Sequence, residues 1–147
     1  MRVRRLGPGT ELDVLRGAHL LQETPELSAA RAFLADERNV LLAAYEGSET
    51  VGLLRGTELT QLRSKRKQMF IHEIAVDERF RRRGVGKALV TSLLRECREL
   101  GFEEVLVSVD PTNSPAVRLY LTTGALPEEV AERLFVYRLH SDIESPV

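Results

Sequence analysis

MFIHEIAVDERFRRRGVGKALVTSLLRECREL, residues 69–100, is the stretch on which the reading of this chain turns. It divides into a strand, a tight Arg/Gly loop and a long amphipathic helix. The helix is marked by Val85, Ala88, Leu89, Ser92, Leu93, Cys97 and Leu100, which recur at three- and four-residue intervals and lay one apolar stripe along about four turns. Ahead of it, Arg81, Arg82, Arg83, Gly84, Val85 and Gly86 place two glycines where the backbone has to turn sharply and an anion can approach the main chain. The unpaired N–H groups of a helix N-terminus are donors for phosphate oxygens. A GxG alone carries little weight. This one follows a strand, opens a helix, and has arginines and Lys87 where a polyphosphate would lie.

The composition frames that reading. At 147 residues, 43% hydrophobic and 29% charged, the chain is expected to be one globular domain, 1–147, with a core that needs no staples. No apolar run approaches the ~20 residues that span a bilayer, and MRVRRLGPG is not followed by an apolar segment, so a soluble, unexported, cytoplasmic protein is expected. The single cysteine, Cys97, excludes an internal disulfide, suits a reducing compartment and reads as a small core residue rather than a nucleophile. A net charge of −1 conceals segregation: residues 63–87 carry +6 and the remainder −7. A basic centre attracts nucleic acid, a membrane surface or a phosphorylated cofactor. The acidic remainder and a pI near 6.3 argue against the first two and favour a compact anion. His19, His72 and His140 are scattered, and no spacing suggests a metal.

Taken in order, residues 3–6 read as a first strand ended by Gly7, Pro8 and Gly9. Thr10 with Asp13 resembles a capping arrangement for a helix whose Leu12, Leu15, His19 and Leu20 share a side. After Thr24 and Pro25, Ser28 starts a second short helix through Ala29, Ala32, Phe33 and Leu34. NVLLAAY, 39–45, is a strand, and Glu46, Gly47, Ser48 and Glu49 turn it into a second over 50–60. Arg63, Ser64, Lys65, Arg66 and Lys67 form a solvated loop. In the strand 68–76, regular pleating puts Met69, Ile71, Glu73 and Ala75 on one side and Phe70, His72, Ile74 and Val76 on the other. Glu73 then interrupts an apolar face. It is either a strand-edge residue facing solvent or a carboxylate whose burial is offset by use as a base. Gly101 ends the long helix, 103–109 (EEVLVSV) is another strand, and Ser114 with Pro115 has the pattern of an N-cap and first helical position for a helix ending near Thr123, with Val117 and Leu121 facing the core. Tyr120 on that helix is either a packing residue or a proton donor. LFVYRL, 134–139, reads as the closing strand and 140–147 as a loose polar tail.

The order of elements, β α α β β β α β α β, with a strand ending in IAV, then RRRGVG, then NSPAVRLYLTTGA, resembles the GNAT superfamily of acetyl-CoA-dependent N-acetyltransferases over about residues 70–125. The resemblance implies an α/β (α+β) fold, a mixed and mostly antiparallel sheet splayed at the strand ending in Val76 and flanked by helices. It implies that Arg81, Arg82, Arg83, Gly84, Val85 and Gly86 bind the pyrophosphate of acetyl-CoA, that Ile74, Ala75 and Val76 pair with its pantetheine amides, and that Asn113, Ala116 and Tyr120 match the family's N-x-x-A-x-x-x-Y pattern. LLAAYEGSETVG, FIHEIAV, RFRRRGVGKALV and DPTNSPAVRLYLTTGA are further similar to the type I aminoglycoside 3-N-acetyltransferases, which would imply a place in antibiotic resistance. Two positions depart from that subfamily: Glu73 stands where an aspartate is expected, and Pro111-Thr112-Asn113-Ser114 lacks its acidic pair.

The chemistry so implied is attack of a neutral amine on a thioester carbonyl. An alkyl ammonium must first lose a proton, so the resemblance gives Glu73 the role of base, a backbone N–H near Val76 that of oxyanion donor, and Tyr120 that of acid for the departing thiolate. Neither a covalent intermediate nor a metal is needed. Asp110, with Glu128, Glu129, Glu132, Asp142 and Glu144, is placed to draw in a polycation such as an aminoglycoside or polyamine, or is ordinary solvated surface. The alternatives are an acceptor that is a peptide, amino acid or polyamine, a non-catalytic acyl-CoA-binding module, and a nucleic-acid-binding domain using 63–87. Family members are often dimers, so a homodimer is expected.

Overall fold

Two hydrophobic clusters, one on each face of a five-stranded sheet, organise the computed structural model, which describes residues 1–22, 24–62, 65–128 and 133–139. The strands are β1 (Arg2–Arg5), β2 (Asn39–Glu46), β3 (Glu49–Thr60), β4 (Lys67–Val76) and β5 (Glu104–Val107), and they lie in that order. β1 to β4 are antiparallel and β5 joins β4 in parallel, which gives the mixed sheet expected from the element order. Among the described residues four α-helices flank it: α1 (Glu11–Gly17), α2 (Leu27–Ala35), α3 (Val85–Glu99) and α4 (Ser114–Thr122).

The near-continuous apolar run of β2 follows from coverage on both faces. Val40, Leu42 and Ala44 pack with Val85, Leu89 and Leu93 of α3, while Leu41, Ala43 and Tyr45 pack with Val14 of α1 and Ala30 and Leu34 of α2. α3 keeps the stripe read from the sequence through Cys97, with Val90 added, but Leu100 lies beyond the last turn and is exposed. Gly52 of β3 brings α3 close. A Cβ there would stand 2.7 Å from Val85 Cγ1 and 3.1 Å from Leu89 Cδ1.

β4 departs from regular pleating. Arg55 pairs with Glu73 but Gly56 pairs with Ile71, so His72 is an extra residue in β4 and a bulge forms. Met69 and Ile71 before it, and Ile74 and Val76 after it, all join the cluster under α3. Glu73 is therefore turned to the opposite face, beside Arg55, and His72 goes with it toward Thr57. The alternation expected for 68–76 holds only up to the bulge.

Several boundaries also differ. The first strand covers Arg2–Arg5, with the Leu6 N–H still bonded to the Leu41 carbonyl at 2.8 Å. Thr10 does not cap α1; its hydroxyl donates to the Gly7 carbonyl at 2.6 Å, and Val14 and Gly17 rather than Leu12 face inward. α2 begins at Leu27, ahead of Ser28. Lys67 leaves the basic loop to open β4, where its Nζ lies 5.8 Å from the Phe102 ring centroid; Arg63 and Ser64 are outside the described residues. β5 is shorter than 103–109. The segment 133–139 is not a strand: Leu134, Phe135, Val136, Tyr137 and Leu139 are exposed, and among the described residues β5 is the last strand of the sheet. The polar tail 140–147, with Glu129 and Glu132, lies outside the described residues. Among the described residues no helix is long and apolar enough to cross a membrane.

Because β3 and α3 meet across bare backbone, Gly52→Ala is expected to cost about 1–3 kcal/mol by overpacking. Urea unfolding measures it, with an unchanged midpoint as the contrary result.

Candidate functional site

The β4–β5 ladder runs only from Gln68↔Glu104 to Ile71↔Val107, whereas β4 stays paired to β3 as far as Gly52↔Val76. From His72 to Val76 the strand therefore lacks a β5 partner, and the bulge sits where the two strands part. This is the expected splay. Ile74 and Val76 turn their main-chain N–H and C=O groups to its free edge, while Ala75, in step with Asp77, turns its own to β3, and the strand leads directly into the Arg/Gly loop.

That loop is braced before it reaches α3. The Asp77 N–H donates to the Val51 carbonyl at 2.9 Å, and its carboxylate caps a single 3-10 turn, Glu78–Phe80, by accepting from the Arg79 N–H at 3.0 Å. The Arg79 guanidinium returns to Asp77 at 2.9 and 3.2 Å and also bonds Glu49. Hydrogen bonds from the Arg79 side chain, then from its backbone, hold the Asp77 carboxyl down to about 2. Phe80 lies beneath two guanidiniums, Arg79 at 5.3 Å and Arg83 at 5.2 Å from its centroid. Arg79 and Phe80 were not among the residues expected here, although an Asp two residues before an Arg at a strand end is a turn signal.

The chain then turns sharply, with Arg82 at φ 64° and Gly84 at φ 81°. The first α3 bond is Ala88 N–H to Gly84 O at 2.9 Å. The N–H groups of Val85, Gly86 and Lys87 thus precede the helical ladder and are available to an anion. Arg81, Arg82, Arg83 and Lys87 are exposed around them. Gly86 serves packing as well: a Cβ would lie 3.2 Å from Leu119 Cδ2 of α4.

Glu73 is less isolated than the sequence suggested. Arg55 Nε donates to its Oε1 at 2.8 Å, with the two side chains 38% and 30% exposed. This leaves Oε2 for another cation. His72 Nε2 lies 2.9 Å from Thr57 Oγ1, and its ring meets Phe70 edge-on at 5.2 Å. Neither Arg55 nor His72 was expected on this face; glycine inside a strand, here Gly56, was the available signal of a bulge.

Asn113, not Ser114, is the N-cap of α4, its Oδ1 accepting from the Ala116 N–H at 3.3 Å. Leu119 and Tyr120, rather than Val117 and Leu121, pack toward the α3 cluster. Burial pushes the Tyr120 phenol above its usual range. Asp110 is exposed and closes its own turn by accepting from the Thr112 N–H at 2.9 Å and hydroxyl at 2.8 Å. Cys97 is buried, with its thiol pushed up to about 11 chiefly by burial, and is no nucleophile.

Residues 11–125 match the Acetyltransferase (GNAT) family. The chain belongs to it. It is 30% identical over 94 residues to rat (Rattus norvegicus) N-acetyltransferase 8B, a match covering 64% of this chain and 42% of that protein, so the chain spans less than half the length of that relative. An aminoglycoside acetyltransferase from an uncultured soil metagenomic sample, solved with trehalose, superposes with a TM-score of 0.87 at 24% identity, covering 93% of this chain and 96% of that one. A second, HMB0005, from such a sample gives 0.78 at 26% identity over 92% and 98%. Acetyl-CoA is the cofactor of the family, and the bare N–H groups of Val85, Gly86 and Lys87 amid exposed arginines fit its pyrophosphate.

The Asp77 brace gives a pH dependence. With its folded pKa at about 2 against an ordinary 3.8, the carboxylate stabilises the fold fully above pH 3.8, and this stabilisation is lost as the pH falls to about 2. Asp77→Asn is expected to flatten acid unfolding across that window, followed by circular dichroism; a curve parallel to wild type would contradict the brace.

Proposed function

We propose that the chain transfers the acetyl group of acetyl-CoA to a primary amine of a small polycationic acceptor of aminoglycoside-like chemistry. The observation that carries the reading is the free edge of β4 from His72 to Val76, which runs straight into the donor-rich start of α3 and carries Glu73 at its head. The likeness to an aminoglycoside acetyltransferase above 25% identity supports the acceptor class.

Bound acetyl-CoA supplies an acetyl group activated as a thioester. Arg81, Arg82, Arg83 and Lys87 meet its phosphate charge, while the N–H groups of Val85, Gly86 and Lys87 take phosphate oxygens. Ile74 and Val76, with Ala75 between them, would hold the pantetheine arm as an added strand is held, and an N–H near Val76 would serve as donor to the thioester oxygen. Asn113, as cap of α4, holds the helix that presents Tyr120. The Tyr120 hydroxyl, protonated at neutral pH, would give its proton to the leaving sulfur and regain one from solvent. Glu73 receives the acceptor ammonium on the oxygen that Arg55 leaves free and holds it where it loses its proton. Asp110 lies in the loop after β5, an outlying carboxylate for a second ammonium.

The test is free-thiol release from acetyl-CoA across aminoglycosides, polyamines, amino acids and peptides. Turnover is expected with aminoglycosides above the other amines. Binding of CoA without turnover on any amine would overturn the reading in favour of a binding module. Glu73→Gln is expected to raise KM for a cationic acceptor and lower kcat/KM about 10²-fold, most at low pH, where the ammonium dominates. Tyr120→Phe should slow kcat and leave CoA affinity intact.

A further inference from the structure

The bulge that turns Glu73 away from α3 turns His72 the same way, and a chain of hydrogen bonds fixes how the His72 ring is protonated. Asn39 Nδ2 donates to the Phe33 carbonyl at 3.1 Å, which commits its Oδ1 to β3. Thr57 donates its one hydroxyl proton to that oxygen at 3.2 Å. Thr57 Oγ1 can then only accept from His72 Nε2, 2.9 Å away. Nε2 carries the hydrogen, and Nδ1 of the neutral ring holds a lone pair. Burial and then the Arg55 guanidinium lower the His72 pKa from its ordinary 6.5, with Glu73 opposing them. Among the described residues the charges that act on the ring are Arg55 from β3 and Glu73 from its own strand, and the neutral Asn39 of β2 reaches it through Thr57. His19 has the opposite arrangement: its Nδ1 lies 3.0 Å from the Arg16 carbonyl, which can only accept.

We infer that His72 Nδ1 takes the proton from the acceptor ammonium, while Glu73, anchored to Arg55 through Oε1, holds that ammonium. This deepens the acetyl-transfer reading and rests on it. An N–H bond of the ammonium breaks, an N–H bond forms at Nδ1, and the freed lone pair of the amine is the nucleophile. The imidazolium passes the proton to water, since the ring is exposed. One proton released per acetylation is what conversion of an ammonium and a thioester to an amide and a thiol requires.

Two measurements test this. In ¹⁵N spectra of the histidine side chains, His72 is expected as the Nε2–H tautomer with its titration below 6.5, and His19 as the Nδ1–H tautomer; His72 protonated on Nδ1 in the neutral form overturns the inference with no acceptor needed. In steady state, His72→Gln is expected to lose the acidic limb of kcat against pH and about 10²-fold in kcat at neutral pH, with KM for the amine within twofold and melting unchanged. Added imidazole should restore part of the rate to His72→Ala. An active wild type beside a His72→Gln variant that keeps both rate and limb overturns the role of His72 alone. A wild type that acetylates no amine overturns the transfer reading itself.

Discussion

The site depends on one extra residue in β4. With Arg55 paired to Glu73 and Gly56 to Ile71, the strand gains a residue at His72, and every side chain beyond it changes face relative to a regular strand. Ile74 and Val76 are thereby delivered to the core beneath α3, while Glu73 and His72 are placed together on the other face against Arg55 and Thr57. Gly56 makes room for it, since a Cβ there would stand 3.1 Å from the Phe70 carbonyl oxygen and 3.2 Å from Met69 Sδ. The same place marks the end of β5 pairing. One irregularity thus opens the sheet, frees an edge of main-chain amides and sets two polar side chains beside that opening.

Close approach of backbone completes the arrangement. Gly52 lets the first turn of α3 settle on β3, and Gly86 lets that turn meet Leu119 of α4. The loop between β4 and α3 is held by the Asp77 carboxylate, which engages Arg79 through both backbone and side chain. Because the cap, the arginine clamp and the Val51 hydrogen bond all converge on Asp77, the exposed Arg81, Arg82 and Arg83 extend from a braced turn. Tyr120 is held at the same end by a helix whose cap, Asn113, bonds the Ala116 N–H.

Much of this was legible in the amino acids. The stripe of α3, the hairpin at 46–49 and the strand–loop–helix around Arg81 to Lys87 follow local rules of period and turn chemistry, and the structure keeps them. What period-two reasoning missed were the faces of Glu73 and His72, because register is set by the pairing partner rather than by the strand itself. Arg55 escaped notice for the same reason: it meets Glu73 across 18 residues of sequence. The expected strand at 134–139 has a strand's composition, yet strands form by pairing, and its apolar side chains stand exposed, with no strand beyond β5 among the described residues. The cap of α4 moved from Ser114 to Asn113 because Pro115 is tolerated within the first turn.

The central claim is that the free edge of β4 and the start of α3 form one continuous cradle for CoA. Backbone amide exchange of the full chain, with and without CoA, reads that edge directly. New protection is expected together at Ile74 and Val76 and at Val85, Gly86 and Lys87, with the Ala75, α1 and α2 amides unchanged. Protection at the helix start alone, or at neither segment under saturating CoA, would contradict the cradle.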